Sequence, residues 1–519
     1  MPKGKARNKF QQARWEEPII HELSNKGVRG LIPPRVEAEI QATTGKVLDN
    51  LKTMRREEAP ELPEVSQKTV LSHWLRLSQE TMGSNIGNDI SEGTCTMKYN
   101  PRINEEFASN PLFTDLHPMQ DEDTVQGMLE IYYKFQNFMK EVSGLDHCSL
   151  QPGGGNHAVY TAASMIRQYW SDRGALDTRD EIITTIFSHP SDAATPATAG
   201  FKIITIYPDE NGIPDIEAIR AAASERTAAI FMTNPEDIGI YNPRVDEVVK
   251  IIHDVGGLCF YDQANANAFL GVARAREAGF DMCHFNVHKT FGTPHGCSGP
   301  GTGAFCCLDR MYPYMPVPVV DFDNEKYFLN YDIPKTIGHV RDYAGVSGVV
   351  LKAYAWVMSM GHDYMRQAAD VSVINNNYLE KQILQIKGIT SAFQDNGITR
   401  QEQVRYSFEK LKEDTDVGTD DVNARIVDFG LPSYWTSHHP WVIPEPMTLE
   451  PCETYSLDDL NEYVDVLRKV VDEAYSDPEL LKTAPHASSS HRRNKPEELD
   501  DPDKWALTWR AYQRKHLSN

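Results

Sequence analysis

A lysine stands directly behind an apolar run in Phe285-Asn286-Val287-His288-Lys289-Thr290-Phe291, and a turn rich in glycine and proline follows it. A buried strand running into Lys289 would set a primary amine at the edge of a sheet. Such an amine, its pKa depressed by desolvation or by nearby cations, attacks carbonyls to form a Schiff base. Asp262 closes an earlier apolar run at 258–261, where a carboxylate could keep a pyridine nitrogen protonated. Gly153-Gly154-Gly155-Asn156 lies between a strand-type run and a helical one. Its backbone N–H groups, at a helix N-terminus, suit a phosphate dianion. His189 follows a β-branched run and could stack on a flat ring. Singly these read as a surface lysine, a capping acid, a glycine turn and a loop histidine. Together, in this order and at one edge, they match what a pyridoxal phosphate (PLP) site needs, with the acid keeping the ring an electron sink.

Such residues need a sheet to carry them. Helical spacing begins at residues 124–142, where Val125, Met128, Leu129, Tyr132, Phe135, Phe138, Met139 and Val142 share one face. Strand-type runs follow at 181–187, 202–207, 228–232, 258–261, 282–287 and 304–308, with helical runs at 156–170, 215–223 and 245–255. Strands alternating with helices predict βαβ units and an α/β fold with a mainly parallel sheet, its functional loops beyond the strand C-termini. Residues 389–474 read as a smaller α+β region. The expected organisation is an N-terminal arm with helices (1–122), a large PLP-binding α/β domain (123–335), a small α+β domain (336–485) and a C-terminal extension (486–519).

Composition narrows the class. At 519 residues with 40% hydrophobic content the chain is long enough for several domains, and its net charge of −22 argues against nucleic acid or an anionic membrane as the main partner. The opening segment is a local exception, with Lys3, Lys5, Arg7, Lys9 and Arg14 and no acid before Glu16. It has no apolar core of a secretory signal, and no run approaches the ~18 apolar residues of a membrane span. Eight cysteines sit mostly inside apolar runs, with no C-x-x-C and no His at zinc spacing. They read as reduced core residues of an intracellular protein that uses no metal.

Several further segments, read with the lysine turn, carry a family resemblance: Cys95-Thr96-Met97-Lys98-Tyr99-Asn100-Pro101, Leu116-His117-Pro118-Met119-Gln120, Leu150-Gln151-Pro152, Thr233-Asn234-Pro235 and Tyr261-Asp262. The chain resembles the PLP-bearing half (subunit 2) of glycine dehydrogenase (decarboxylating), the P-protein of the glycine cleavage system, over nearly its whole length. The resemblance implies PLP fold type I, with a seven-stranded-type sheet. It implies PLP held covalently by Lys289, Asp262 on the pyridine nitrogen, His189 stacked on the ring, and Gly154, Gly155 and Asn156 on the phosphate, with His288 as a helper. Lys289 and His189 are the implied catalytic residues. The implied activity is a cytoplasmic oxidoreductase of amino-acid catabolism. It decarboxylates glycine and passes the aminomethyl group to the lipoyl arm of H-protein, partnered by a P-protein subunit 1 in two copies of each, a heterotetramer.

The chain departs from the family pattern at Ala158-Val159-Tyr160, at His189-Pro190-Ser191-Asp192 and at Gly296-Cys297-Ser298-Gly299. Two other readings therefore stay open: a paralogous PLP decarboxylase or lyase for another amino acid without lipoyl chemistry, and a non-catalytic scaffold subunit. Arg341 is one candidate for binding a substrate carboxylate, and a structural ion pair is its other reading.

Overall fold

The computed structural model describes residues 6–51, 54, 56, 58, 60–82, 86–90, 98–293, 301–394, 397–439, 441–490 and 508–517. Lys3 and Lys5, the Cys95-Thr96-Met97 stretch, the turn 294–300 and Trp505 lie outside these residues. The chain divides into two units, Lys9–Met82 with Pro485–Asn519, and Met1–Asn8 with Gly83–Ala484.

In the smaller unit, α1 (Ala38–Asp49) is solvent-exposed along its described length. Helix α2 (Gln67–Gln79) starts at Ser66, whose side chain accepts from the Thr69 N–H, satisfying one of the donors that a helix start leaves open. Its buried His73 and its Arg76 both engage Glu17, each at 2.9 Å. Trp509 of the C-terminal tail stacks on His21, ring centroids 4.2 Å apart.

The larger unit opens with α3 (Arg102–Ala108) and the single turn α4 (Pro111–Thr114). Helix α5 (Gln126–Ser143) buries Leu129, Tyr132, Phe135 and Met139 and ends on Gly144 in the left-handed region, as a glycine C-cap does. There follow β1 (His147–Ser149), α6 (Gly155–Asp172), β2 (Glu181–Thr185), α7 (Ser191–Thr198), β3 (Lys202–Ile206), α8 (Ile216–Ala222), β4 (Thr227–Thr233), α9 (Val245–Asp254), β5 (Leu258–Asp262), β6 (Met282–Asn286) and β7 (Gly303–Cys307). They form one sheet in the order β1-β7-β6-β5-β4-β2-β3. It is parallel from β3 to β6, and β7 runs against both neighbours.

Strand periodicity divides the core in two. Ile183, Ile230, Met232, Cys259 and Tyr261 pack with α5 and α9, while Ile182, Ala229, Phe231 and Phe260 pack with α6. Successive side chains point to opposite faces, so a strand covered on both sides must be apolar throughout. That is why β4 and β5 read as continuous runs rather than alternations. Cys148, Cys259, Cys283, Cys306, Cys307 and Cys452 are free and buried. No described helix is long and apolar enough to cross a membrane.

Beyond the sheet come the hairpin β8 (Val319–Phe322) and β9 (Tyr327–Asn330), then α10 (Ser347–Ile383). Helix α10 is interrupted at Gly361, which has a φ of 64°. Its first half joins the sheet core through Val349, Ala353 and Trp356, and its end joins a second core through Leu379 and Ile383. That second core holds the antiparallel sheet of β10 (Thr390–Ser391), β11 (Val404–Ser407) and β12 (Pro446–Leu449), with α11 (Glu409–Thr415), α12 (Thr419–Ile426), α13 (Leu457–Ser476) and α14 (Pro478–Lys482). The α/β fold with a mainly parallel seven-stranded sheet and a smaller α+β region is the expected one. The length of α10 was not read from the sequence, because Gly361 and the run Asn375-Asn376-Asn377 interrupt its apolar stripe.

Candidate functional site

The parallel strands β4 and β5 run together to Thr233 and Asp262, which pair in register, and Asp262 pairs in turn with His284 of β6. Lys289 follows β6 by three residues, in a turn closed by its N–H donating to the Asn286 carbonyl at 3.0 Å. The strands' C-terminal ends thus open on a pocket lined by His189, Thr233, Asp237, Asp262, Lys289 and Glu402, among others. Lys289, Asp262 and His189, far apart in the chain, meet there.

Asp262 is 3% exposed, and its Oδ1 accepts from the Ala264 N–H at 2.9 Å, so the chain's own turn orients the carboxylate. His284 Nε2 lies 3.5 Å away. Asp192, at the start of α7, is fully buried. Burial first, then the charges of Asp262 and Asp237, push its pKa well above the ordinary carboxyl value. A neutral Asp192 adds no further charge beside Asp262.

His189 precedes α7, and its Nδ1 takes the Ser191 N–H at 3.1 Å and the Ser191 hydroxyl at 2.7 Å. With Nδ1 accepting, the ring proton belongs on Nε2. Burial, reinforced by His438 at 4.6 Å between ring centroids, lowers its pKa to about 4, so the ring is neutral. His438 Nδ1 lies 2.7 Å from Asp237 Oδ2. Burial opposes ionisation of Asp237, but His438 and Arg405 outweigh it and hold the carboxyl well below the usual range.

The glycine turn is built for close approach. Gly154 caps α6 at φ 155° and ψ −179°, a region open in practice only to glycine. A Cβ on Gly155 would sit 2.7 Å from the Asn286 amide, and one on Gly303 would sit 2.7 Å from the Gly154 carbonyl. His288 packs beside this turn, its Cε1 3.8 Å from where a Gly154 Cβ would lie. Its Nδ1 accepts from the Thr302 N–H at 3.3 Å. Asn156 is exposed in the first turn of α6. Gly154, Gly155 and Asn156 do not line the Lys289 pocket among the described residues. They lie next to it, joined through the 286–288 segment. Arg341 crowds the same turn, filling the space a Gly153 side chain would need.

The donor set fits PLP. An 18-residue helix leaves the N–H groups of its first turn open to a phosphate, and the close packing at Gly155 and Gly303 leaves no room there for a Cβ. A buried amine and a buried carboxylate stand beside it for the aldehyde and the ring nitrogen.

Sequence reading missed two acids that line this pocket, Asp237 and Glu402, and a third, Asp192, that feels the charges of Asp262 and Asp237. Asp192 and Asp237 follow recognised motifs, at His189-Pro190-Ser191 and Thr233-Asn234-Pro235, and acids after such motifs are the signal that could have found them. Glu402 lies in no motif and was invisible.

Known proteins agree with this architecture. Residues 154–319 match the class-V aminotransferase family, and residues 368–486 match the glycine dehydrogenase C-terminal domain family. A Pyrococcus horikoshii protein named "probable glycine dehydrogenase (decarboxylating) subunit 2" is 39% identical over 97% of this chain and 98% of its own length. A Staphylothermus marinus protein of the same name is 34% identical over 98% of each. Among solved structures, a glycine decarboxylase (P-protein) of the glycine cleavage system superposes with a TM-score of 0.70 at 17% identity, covering 85% of this chain and 100% of that one. A cysteine desulfurase from Escherichia coli gives 0.57 at 16%, covering 76% and 96%.

Proposed function

Since this chain belongs to the glycine dehydrogenase (decarboxylating) subunit 2 family, a PLP-dependent enzyme family of the glycine cleavage system, we propose that Lys289 is the residue that carries the cofactor for glycine decarboxylation. The observation that carries this reading is the meeting of Lys289, Asp262 and His189 in one pocket. Identity over nearly the whole chain favours it over a paralogous decarboxylase or a scaffold.

The bound cofactor supplies an electron sink for the pair left when glycine loses its carboxyl group. Lys289 would hold it through Nζ, and Asp262 would bind the ring nitrogen as an anion. His189, kept neutral by burial, would cover the ring face without adding a positive charge. Gly154, Gly155 and Asn156 would bind the phosphate through backbone N–H groups, and His288 would brace that turn. The buried lining of the pocket excludes water, which keeps these charges effective.

The family name supports a subunit 1 as partner. We further propose lipoylated H-protein as acceptor of the aminomethyl group, two copies of each P-protein subunit, and action in the cytoplasm. The test has two arms. The purified chain should show a visible absorbance band that Lys289→Ala abolishes. With subunit 1 and H-protein supplied, labelled bicarbonate should exchange into the glycine carboxyl group. A band that survives Lys289→Ala sinks the lysine assignment; turnover of another amino acid without bicarbonate exchange sinks glycine as substrate.

A further inference from the structure

We propose that Glu402 is a further catalytic residue, a proton relay between the nitrogen of the incoming amino acid and the nitrogen of Lys289. The proposal rests on Lys289 being the amine that carries the cofactor.

Glu402 lies two residues before β11, is 3% exposed and lines the pocket with Lys289, Asp262 and His189. Its Oε2 is buried and meets no hydrogen-bonding partner among the described residues. A polar group left unmet at a pocket wall is costly and points to a ligand that meets it. Two neighbouring acids are engaged, while the buried Asp192, whose Oδ1 also meets no partner among the described residues, does not line the pocket. Glu236, equally buried, bonds the Thr185 hydroxyl and does not line the pocket, and Asp237 is held by His438. Glu402 alone of the three has a free carboxyl oxygen in the pocket. Burial pushes its pKa up to about 8, with Lys289 acting against the rise and Asp237 adding to it. The Tyr261 phenol, itself displaced upward by burial, also feels its charge.

The chemistry at Lys289 calls for such a group. The substrate arrives as an ammonium ion, and only its free amine can attack the carbon that Lys289 holds. Over the exchange the incoming nitrogen must give up two protons and the Lys289 nitrogen must gain two, one pair of transfers before the new C–N bond forms and one before the bond to Lys289 breaks. Glu402 begins as the acid: its O–H bond breaks and an N–H bond forms on Lys289, with the O–H electron pair staying on the carboxylate. That carboxylate then takes a proton from the substrate ammonium, an N–H bond breaking and the O–H bond returning. The free amine then attacks, and a second turn of the same relay carries one more proton from the incoming nitrogen to the Lys289 nitrogen, which leaves as a free amine; nothing is oxidised or reduced, and the carboxyl ends as it began. A relay whose proton affinity approaches that of the two amines works in both directions without a large uphill step.

Glu402→Gln keeps the shape and removes the proton. In the cofactor-free chain, an infrared difference spectrum at pH 7 should show a protonated-carboxyl C=O band in the parent that is missing from Glu402→Gln. In the loaded chain, rapid mixing with glycine should show the absorbance change of amine exchange slowed about 100- to 10,000-fold, with the starting visible band retained and part of the rate recovered by Glu402→Asp. Exchange at the parent rate in Glu402→Gln, or an infrared spectrum unchanged by the substitution, would overturn the proposal. Failure of the lysine assignment is separable, since it shows as a visible band surviving Lys289→Ala whatever Glu402 does.

Discussion

Strand β5 meets a buried acid at each end, and the two ends treat it in opposite ways. Near its start, Asp281 accepts the Cys259 N–H at 2.8 Å, lies 3.1 Å from His253 Nε2 and pairs with Arg310. His253, Cys259 and Asp281 are close enough to suggest a metal site, but the Arg310 guanidinium already supplies the positive charge. At its end, Asp262 lines a pocket together with Asp237 and Glu402, and the charges of Asp262 and Asp237 reach the buried Asp192. One end is neutralised by its own neighbours. The other gathers like charges and proton-bearing acids, an arrangement that costs stability and makes sense where a ligand completes it.

Exchanging the two ends by mutation gives the sharpest contrast. Asp262→Asn should cut glycine-dependent bicarbonate exchange about 100- to 1,000-fold, the scale of losing one preorganised electrostatic partner. It should leave the melting temperature unchanged or raise it, because it removes one of the charges that crowd Asp192 and Asp237. Arg310→Met should do the reverse, keeping the visible band while destabilising the fold. Stranding a buried charge costs about 3–5 kcal/mol. Arg310 is 44% exposed on its side chain, so solvent screening brings the expectation to about 2 kcal/mol. Equal damage to activity and stability from both substitutions would erase the distinction between the ends.

The pH response sharpens it further. Glu236 and Glu402 have folded pKa values raised by burial to about 8 from 4.5. The native chain therefore binds more protons than the unfolded one between those values, and stability falls as pH rises through that window. His189, lowered to about 4 from 6.5, acts oppositely: it favours the fold above pH 6.5 and loses that contribution as pH drops toward 4. Between pH 6.5 and 8 only the falling terms of these three remain, each at most about 1.4 kcal/mol per pH unit. Glu402→Gln should thus become more stable than the parent as pH rises from about 4.5, the gap in melting temperature levelling off near pH 8. A constant gap would mean that Glu402 is not held protonated in the folded chain.

The comparison also explains what the sequence could tell. The Asp262 end was legible because its residues follow strands, and strands announce themselves through apolar runs such as Leu258–Asp262. Lys289, Asp262 and His189 could be placed at one sheet edge by that rule alone. Asp281 precedes β6 by one residue and gave no signal, since its meaning depends on Arg310 and His253 reaching it from elsewhere. Glu402 escaped for the same reason: its burial and its missing partner are properties of the folded pocket, created when the segment before β11 packs over the ends of β4 and β5. Spacing reports what a residue's neighbours in sequence dictate, and buried ionisation is decided by neighbours in space.

Gly155→Ala probes the smallest difference, between the pocket and the turn beside it. The new Cβ would lie 2.7 Å from both polar atoms of the Asn286 amide, closer than a methyl group tolerates, so the amide must move. Asn286 closes the turn that presents Lys289, through the hydrogen bond from Lys289 N–H to its carbonyl. Overpacking of this kind costs about 1–3 kcal/mol. The strain should appear as weaker cofactor retention, because the helix itself gains from alanine over glycine, by about 1 kcal/mol at an interior position. Titrating PLP into the cofactor-free variant should therefore show a dissociation constant raised about tenfold with a melting temperature close to the parent's. An unchanged constant would separate the glycine turn from the Lys289 pocket and confine the cofactor-binding role to the residues that line it.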